Sequence, residues 1–131
     1  MIGAPVLVDS SFYIQTSREG RDPFRELLPV AMTRGLVICG VVRAEVGRGI
    51  RDPRTLERYR NLWRVMENVE INDGMWADAE ELVWNLDRKG VILPLTDILI
   101  ACCARRAKAV VLTNDHHFGL IPGLTSVSRL V

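Results

Sequence analysis

The stretch Pro5-Val6-Leu7-Val8-Asp9-Ser10-Ser11 decides how this 131-residue chain is read. Its apolar part is too short for a helix, and its unbroken, β-branched character fits a strand buried on both faces. The run stops at an acid, and Ser10 and Ser11 behind it suit the start of a helix. A buried strand feeding a helix is the first unit of a parallel α/β sheet.

The same alternation continues along the chain. Asp22 as a cap, Pro23 at the first position and Gly35 as the stop predict a helix ending near Arg34, and Leu36 to Cys39 is a second buried strand. Val41 to Ile50 reads as a helix with Val42, Glu45 and Val46 on one face. Asp52 and Pro53 open another that carries Leu56, Tyr59, Leu62, Trp63 and Met66. Val69 to Ile71 is a third strand candidate, and Trp76, Ala79, Leu82, Val83 and Leu86 follow helical spacing up to Gly90. Thr96 is placed as the cap of a helix from Asp97 to Lys108, apolar all round from Ile98 to Ala104 and therefore expected inside the fold. Ala109 to Leu112 and Leu124 to Val127 complete the strands. With no repeat and no linker, residues 1–131 read as a single domain.

Composition narrows the class. With 48% apolar residues the chain can bury one core, and its net charge of +1 excludes a globally basic nucleic-acid binder. Charge is local instead: from Arg43 to Arg64 there are seven arginines against three acids. This segment is either a basic patch for nucleic acid or a solvated helix face with pairs such as Glu57 and Arg60. Cys39, Cys102 and Cys103 are odd in number and lack zinc spacing, which indicates small apolar roles in a reducing compartment. No segment has the roughly 20 apolar residues of a membrane helix, and the N-terminus lacks a secretory pattern. A soluble cytoplasmic protein without membrane attachment is the expectation.

Sites in parallel sheets form at the carboxyl ends of strands, where Asp9 and Asp115 stand. Asp97 heads the buried helix, and Glu45 interrupts an apolar face. Singly, each has a structural explanation: a turn, a helix-dipole partner, or an exposed position. Together they would repel unless cations neutralised them, and oxygen-only ligands suit Mg2+ or Mn2+. Such ions serve hydrolysis of phosphodiesters. An aspartyl-phosphate chemistry at Asp9 is the other enzymatic reading. It is disfavoured because Ser11 stands where phosphatases carry a second acid.

Four segments in order carry a family resemblance: Val6-Leu7-Val8-Asp9-Ser10-Ser11, Arg43-Ala44-Glu45-Val46, Leu95-Thr96-Asp97-Ile98-Leu99-Ile100-Ala101, and Leu112-Thr113-Asn114-Asp115-His116-His117-Phe118. In this order the chain resembles a PIN-domain ribonuclease, most like the VapC toxin of VapBC toxin–antitoxin pairs. The resemblance implies a three-layer α/β/α sandwich with a central parallel sheet of about five strands. It implies that Asp9, Glu45, Asp97 and Asp115 are catalytic and bind Mg2+ or Mn2+ for RNA cleavage, with Ser10 and Thr113 as hydroxyls beside the metal that contact substrate. It also implies a homodimer silenced by a cognate antitoxin. Some relatives carry a further acid two positions after the fourth; here that residue is His117, so one bound ion is expected. His116 and His117 are otherwise read as exposed turn residues, with contact to a substrate phosphate as the alternative. Trp63 and Trp76 read as core, and Trp84 is left open. A catalytically silent RNA-binding or assembly module is the non-enzymatic alternative.

Overall fold

In a computed structural model, which describes residues 3–129, five strands form one sheet in the order β3-β2-β1-β4-β5, every neighbouring pair parallel. The strands are β1 (Val6–Val8), β2 (Leu36–Cys39), β3 (Glu67–Val69), β4 (Val110–Leu112) and β5 (Ser126–Val127). The helices are α1 (Ser10–Arg18), α2 (Pro23–Thr33), α3 (Gly40–Gly47), α4 (Pro53–Arg64), α5 (Asp73–Arg88) and α6 (Leu95–Ala107), and a 3-10 turn spans His116–Leu120. The α/β/α sandwich with a five-stranded parallel sheet is therefore as expected.

Strand order places the site. The chain steps from β1 to β2 and β3 on one side, then returns to β4 and β5 on the other. A crevice therefore opens at the carboxyl ends of β1 and β4. Val8 is paired with Leu112, and the Asp9 amide donates to the Leu112 carbonyl at 2.9 Å, so Asp9 and Thr113 emerge side by side. β1 and β2 are wholly buried, as their apolar sequences require.

Local signals placed the helices well where caps are side chains. Asp22 accepts from the Phe24 amide and Asp52 from the Arg54 amide, each with proline at the start of the helix, and Gly35 takes the positive φ of 82° that ends the α2 unit. Tyr13, Phe24, Tyr59 and Trp63 pack as tilted and edge-to-face rings that join α1, α2 and α4. α6 is buried from Asp97 to Ala104, and fully burying residues such as Ile98 and Ile100 contributes about 1.5–3 kcal/mol each.

Four expectations need correction. β3 runs over 67–69, two residues earlier than read, because edge pairing of Val37 with Glu67 and Ile38 with Asn68 recruits exposed polar residues. α6 starts at Leu95 after Pro94, so Thr96 lies inside the first turn and is not the cap. Ser10 and Ser11 are likewise within α1, whose cap position is Asp9. Trp76 is 47% exposed and not core, as is Trp84 at 59%, whereas Trp63 is buried. Among the described residues, no helix is long and apolar enough to cross a membrane.

Candidate active site

Asp9, at the end of β1, forms the floor of the crevice and is only 3% exposed. A buried carboxylate requires hydrogen bonds. Two hydroxyls supply them to Oδ2: Ser11 Oγ donates at 2.7 Å and Thr113 Oγ1 at 2.8 Å. The hydroxyls also approach each other at 3.1 Å, and Ser11 Oγ accepts from the Asn114 amide at 3.0 Å. This knot fixes the loop after β4 against the start of α1. Thr113 was expected at the site; Ser11, two residues after Asp9, was read only as a capping residue.

Glu45 projects from α3 toward the same floor. Ser10 Oγ donates to its Oε1 at 3.0 Å and lies 3.4 Å from Asp9 Oδ1. Burial raises the Glu45 pKa, and the charges of Asp9 and Asp97 add to the rise against the Ser10 hydrogen bond.

The opposite wall comes from α6 and the 3-10 turn. Asp115 caps that turn by accepting the His117 amide at 2.9 Å, and its own amide donates to Thr113 Oγ1 at 2.8 Å. The His117 ring returns over this cap, with Nδ1 3.0 Å from Asp97 Oδ2 and 3.2 Å from Asp115 Oδ1. The reading of His117 as a mere exposed turn residue is therefore corrected: it joins two elements across the cleft wall. The signal available in the sequence was its position two residues after a strand-end acid. His116 is exposed. The Asp97 pKa is raised, first by burial and then by Asp115 and Asp9, with the His117 hydrogen bond opposing.

One cleft is lined by Asp9, Ser10, Ser11, Glu45, Asp97, Asp115 and His117, together with Gln15, Arg18 and Glu19 of α1. All four acids singled out in the sequence thus face a common space. The donor chemistry fits a hard divalent cation: the carboxylates come from four elements, and two of them are pushed toward protonation by burial and mutual repulsion. Asp97, Asp115 and His117 have ligand atoms within 4.8 Å of one another.

The arginines of the basic segment do not line this cleft; Arg58 pairs with Asp22 at 2.6 Å, Arg64 bonds Asn61 at 2.9 Å, and Arg60 lies 4.0 Å from Glu57. That supports the solvated-face reading, in which each exposed pair is worth no more than about 1 kcal/mol. The cation at the cleft is Arg18. A second groove, between α5 and α6, is lined by Asp78, Glu81, Arg105 and Arg106 and gathers no comparable set of acids.

Comparison with known proteins gives a family and a fold. Residues 6–124 match the family model described as PIN domain. No curated protein matches. Among solved structures, VapBC2 from Rickettsia felis bound to a promoter DNA fragment superposes with a TM-score of 0.77 at 21% identity, covering 94% of this chain and 97% of that one. DNA-bound VapBC from Salmonella typhimurium gives 0.76 at 22% identity, covering 95% and 98%. VapC20 from Mycobacterium tuberculosis, described as a sarcin-ricin loop cleaving toxin, gives 0.68 at 15% identity, covering 93% and 98%.

Proposed function

Because the chain belongs to the PIN-domain family, we propose that it is a Mg2+- or Mn2+-dependent endoribonuclease, the toxin of a type II toxin–antitoxin pair. The observation that carries the reading is the meeting of Asp9, Glu45, Asp97 and Asp115 in one cleft at the carboxyl edge of the sheet. The kinship in fold to VapBC complexes and to a toxin that cleaves the sarcin-ricin loop supports RNA as substrate and an antitoxin as partner. The sequence resemblance to VapC toxins adds a homodimer to this proposal.

These four acids would hold the cation, which when bound polarises the phosphodiester and acidifies a water. Chain groups do the rest. Ser11 and Thr113 lock Asp9 Oδ2, which leaves Oδ1 with only the longer Ser10 contact, at 3.4 Å, among the described residues. Ser10 holds Glu45 through Oε1, which leaves Oε2 without a protein hydrogen bond among the described residues and able to take a proton from water. Arg18 offers the positive charge on the rim for a backbone phosphate.

The test uses wild type and Asp9→Asn, each purified free of any bound partner, on a single-stranded RNA. Wild type should cleave only with Mg2+ or Mn2+, and the variant should not cleave. Equal cleavage by both would trace the activity to a contaminant and end the assignment.

A further inference from the structure

We propose that His117 is itself a metal ligand, so that the site binds its ion through mixed nitrogen and oxygen donors and favours Mn2+ over Mg2+. The proposal rests on the metal-dependent reading of this cleft and names the ion and a ligand for it.

The argument is geometric. Two donors bound at about 2.1 Å from one ion and at right angles lie about 3.0 Å apart. His117 Nδ1 is 3.0 Å from Asp97 Oδ2 and 3.2 Å from Asp115 Oδ1, the spacing of neighbouring ligands in an octahedral shell. The three donors, all within 4.8 Å of one another, come from α6, from the residue capping the 3-10 turn, and from the turn itself, so they do not line up along one helix.

The ring is also oriented in advance. The Asp115 carboxylate accepts the His117 amide, and the Asp115 amide is held by Thr113 Oγ1, which is bonded to Asp9. Placement of the imidazole is thus set by the same hydroxyl that holds the floor carboxylate. The ring remains open to the cleft, with its side chain 33% exposed, so an ion can reach it.

Chemistry gives the selectivity. A ligating imidazole is neutral, with its proton on Nε2 and the Nδ1 lone pair on the ion; the Nδ1 proton, where present, leaves to solvent. Mg2+ prefers oxygen and resists dehydration, whereas imidazole suits transition ions. An all-oxygen site would lack this bias.

The experiment loads chelator-treated protein with Mn2+ and looks for nitrogen hyperfine coupling by pulsed electron paramagnetic resonance. Affinities for Mn2+ and Mg2+ are measured in parallel by calorimetry. Coupling should be present in wild type and in His116→Gln, and absent in His117→Gln. The preference for Mn2+ over Mg2+ should fall at least about tenfold in His117→Gln, since even outer-shell losses cost that much. His117→Asp should bind both ions with the preference for Mn2+ reduced, which shows that the site survives substitution. Absence of nitrogen coupling in Mn2+-loaded wild type, or an unchanged ion preference in His117→Gln, would overturn the proposal. If wild type cleaves RNA while nitrogen coupling is absent, this inference fails and the nuclease reading stands; coupling without cleavage gives the reverse.

Discussion

The two walls of the cleft are built from different chemistry. On the β1 side, among the described residues, the side chains of Asp9 and Glu45 are held by hydroxyls alone, from Ser10, Ser11 and Thr113. On the α6 side, Asp97 and Asp115 share an imidazole, that of His117. On the β1 wall Asp9 grows directly from the sheet, is buried and is fixed by backbone register, while half-buried Glu45 reaches it from α3. The α6 wall depends on a helix start and a short turn, and its geometry depends on a side-chain bridge. A rigid oxygen floor thus faces a wall whose donor type can change by one residue.

Removing the floor should have the largest effect. Asp9→Asn should lower metal-dependent RNA cleavage by at least about a hundredfold, measured in single-turnover assays, because a general acid–base or metal-bound group contributes on that scale. A smaller loss than in Asp115→Asn would reverse the ranking of the two walls.

Next comes the knot that holds the floor. Thr113→Val keeps shape but leaves Asp9 Oδ2 with one donor fewer and the Asp115 amide without its partner. The cost should be about 1–3 kcal/mol in denaturant unfolding. A neutral result would show that water replaces the hydroxyl and that the floor is less rigid than the hydrogen bonds indicate.

Acidity separates the walls from the rest of the fold. Glu45 and Asp97 have pKa values raised mainly by burial, so the folded chain holds their protons more tightly than the unfolded chain does. Their contribution to stability is fully present below the ordinary carboxylate pKa of about 4 and is lost as pH rises through the raised folded values. Without divalent ions, wild type should lose stability relative to a Glu45→Gln, Asp97→Asn double variant on going from about pH 4 to pH 7, and Mg2+ should restore it. Parallel stability profiles would remove both acids from the repelling cluster.

The smallest effect serves as a control. Lys108 ends α6 in a left-handed conformation, φ 53°, at the opposite end of that helix from Asp97. Lys108→Gly should change stability by no more than about 1 kcal/mol, since relief of the strained φ is offset by unfolded-state entropy. The melting-temperature shift produced by Mg2+ should stay as in wild type.

The difference between the walls also explains what could be read from the sequence. β1, β2 and the Asp22 and Asp52 caps were legible because burial on both faces and side-chain capping leave local signatures. β3 was misplaced because an edge strand pairs by backbone and tolerates the exposed Glu67 and Asn68. Trp76 was misread because helical spacing identifies a stripe but not which stripe packs. Asp9, Asp115 and Asp97 were found from their settings and Glu45 mostly through the family resemblance, whereas Ser11 and His117 were given bland roles. Each has one partner two residues away, but the other lies far along the chain: nothing local to Ser11 announces Thr113, nor anything near His117 announces Asp97.

The claim that one metal site unites the two walls is tested most directly by a crystal structure of the protein soaked in Mn2+, using anomalous scattering to locate the ion. The account predicts one strong peak in the cleft, with carboxylate oxygens from both walls about 2.1–2.2 Å away or linked to it through a bound water. A peak confined to one wall, or no peak while Mn2+ binds elsewhere on the surface, would contradict it.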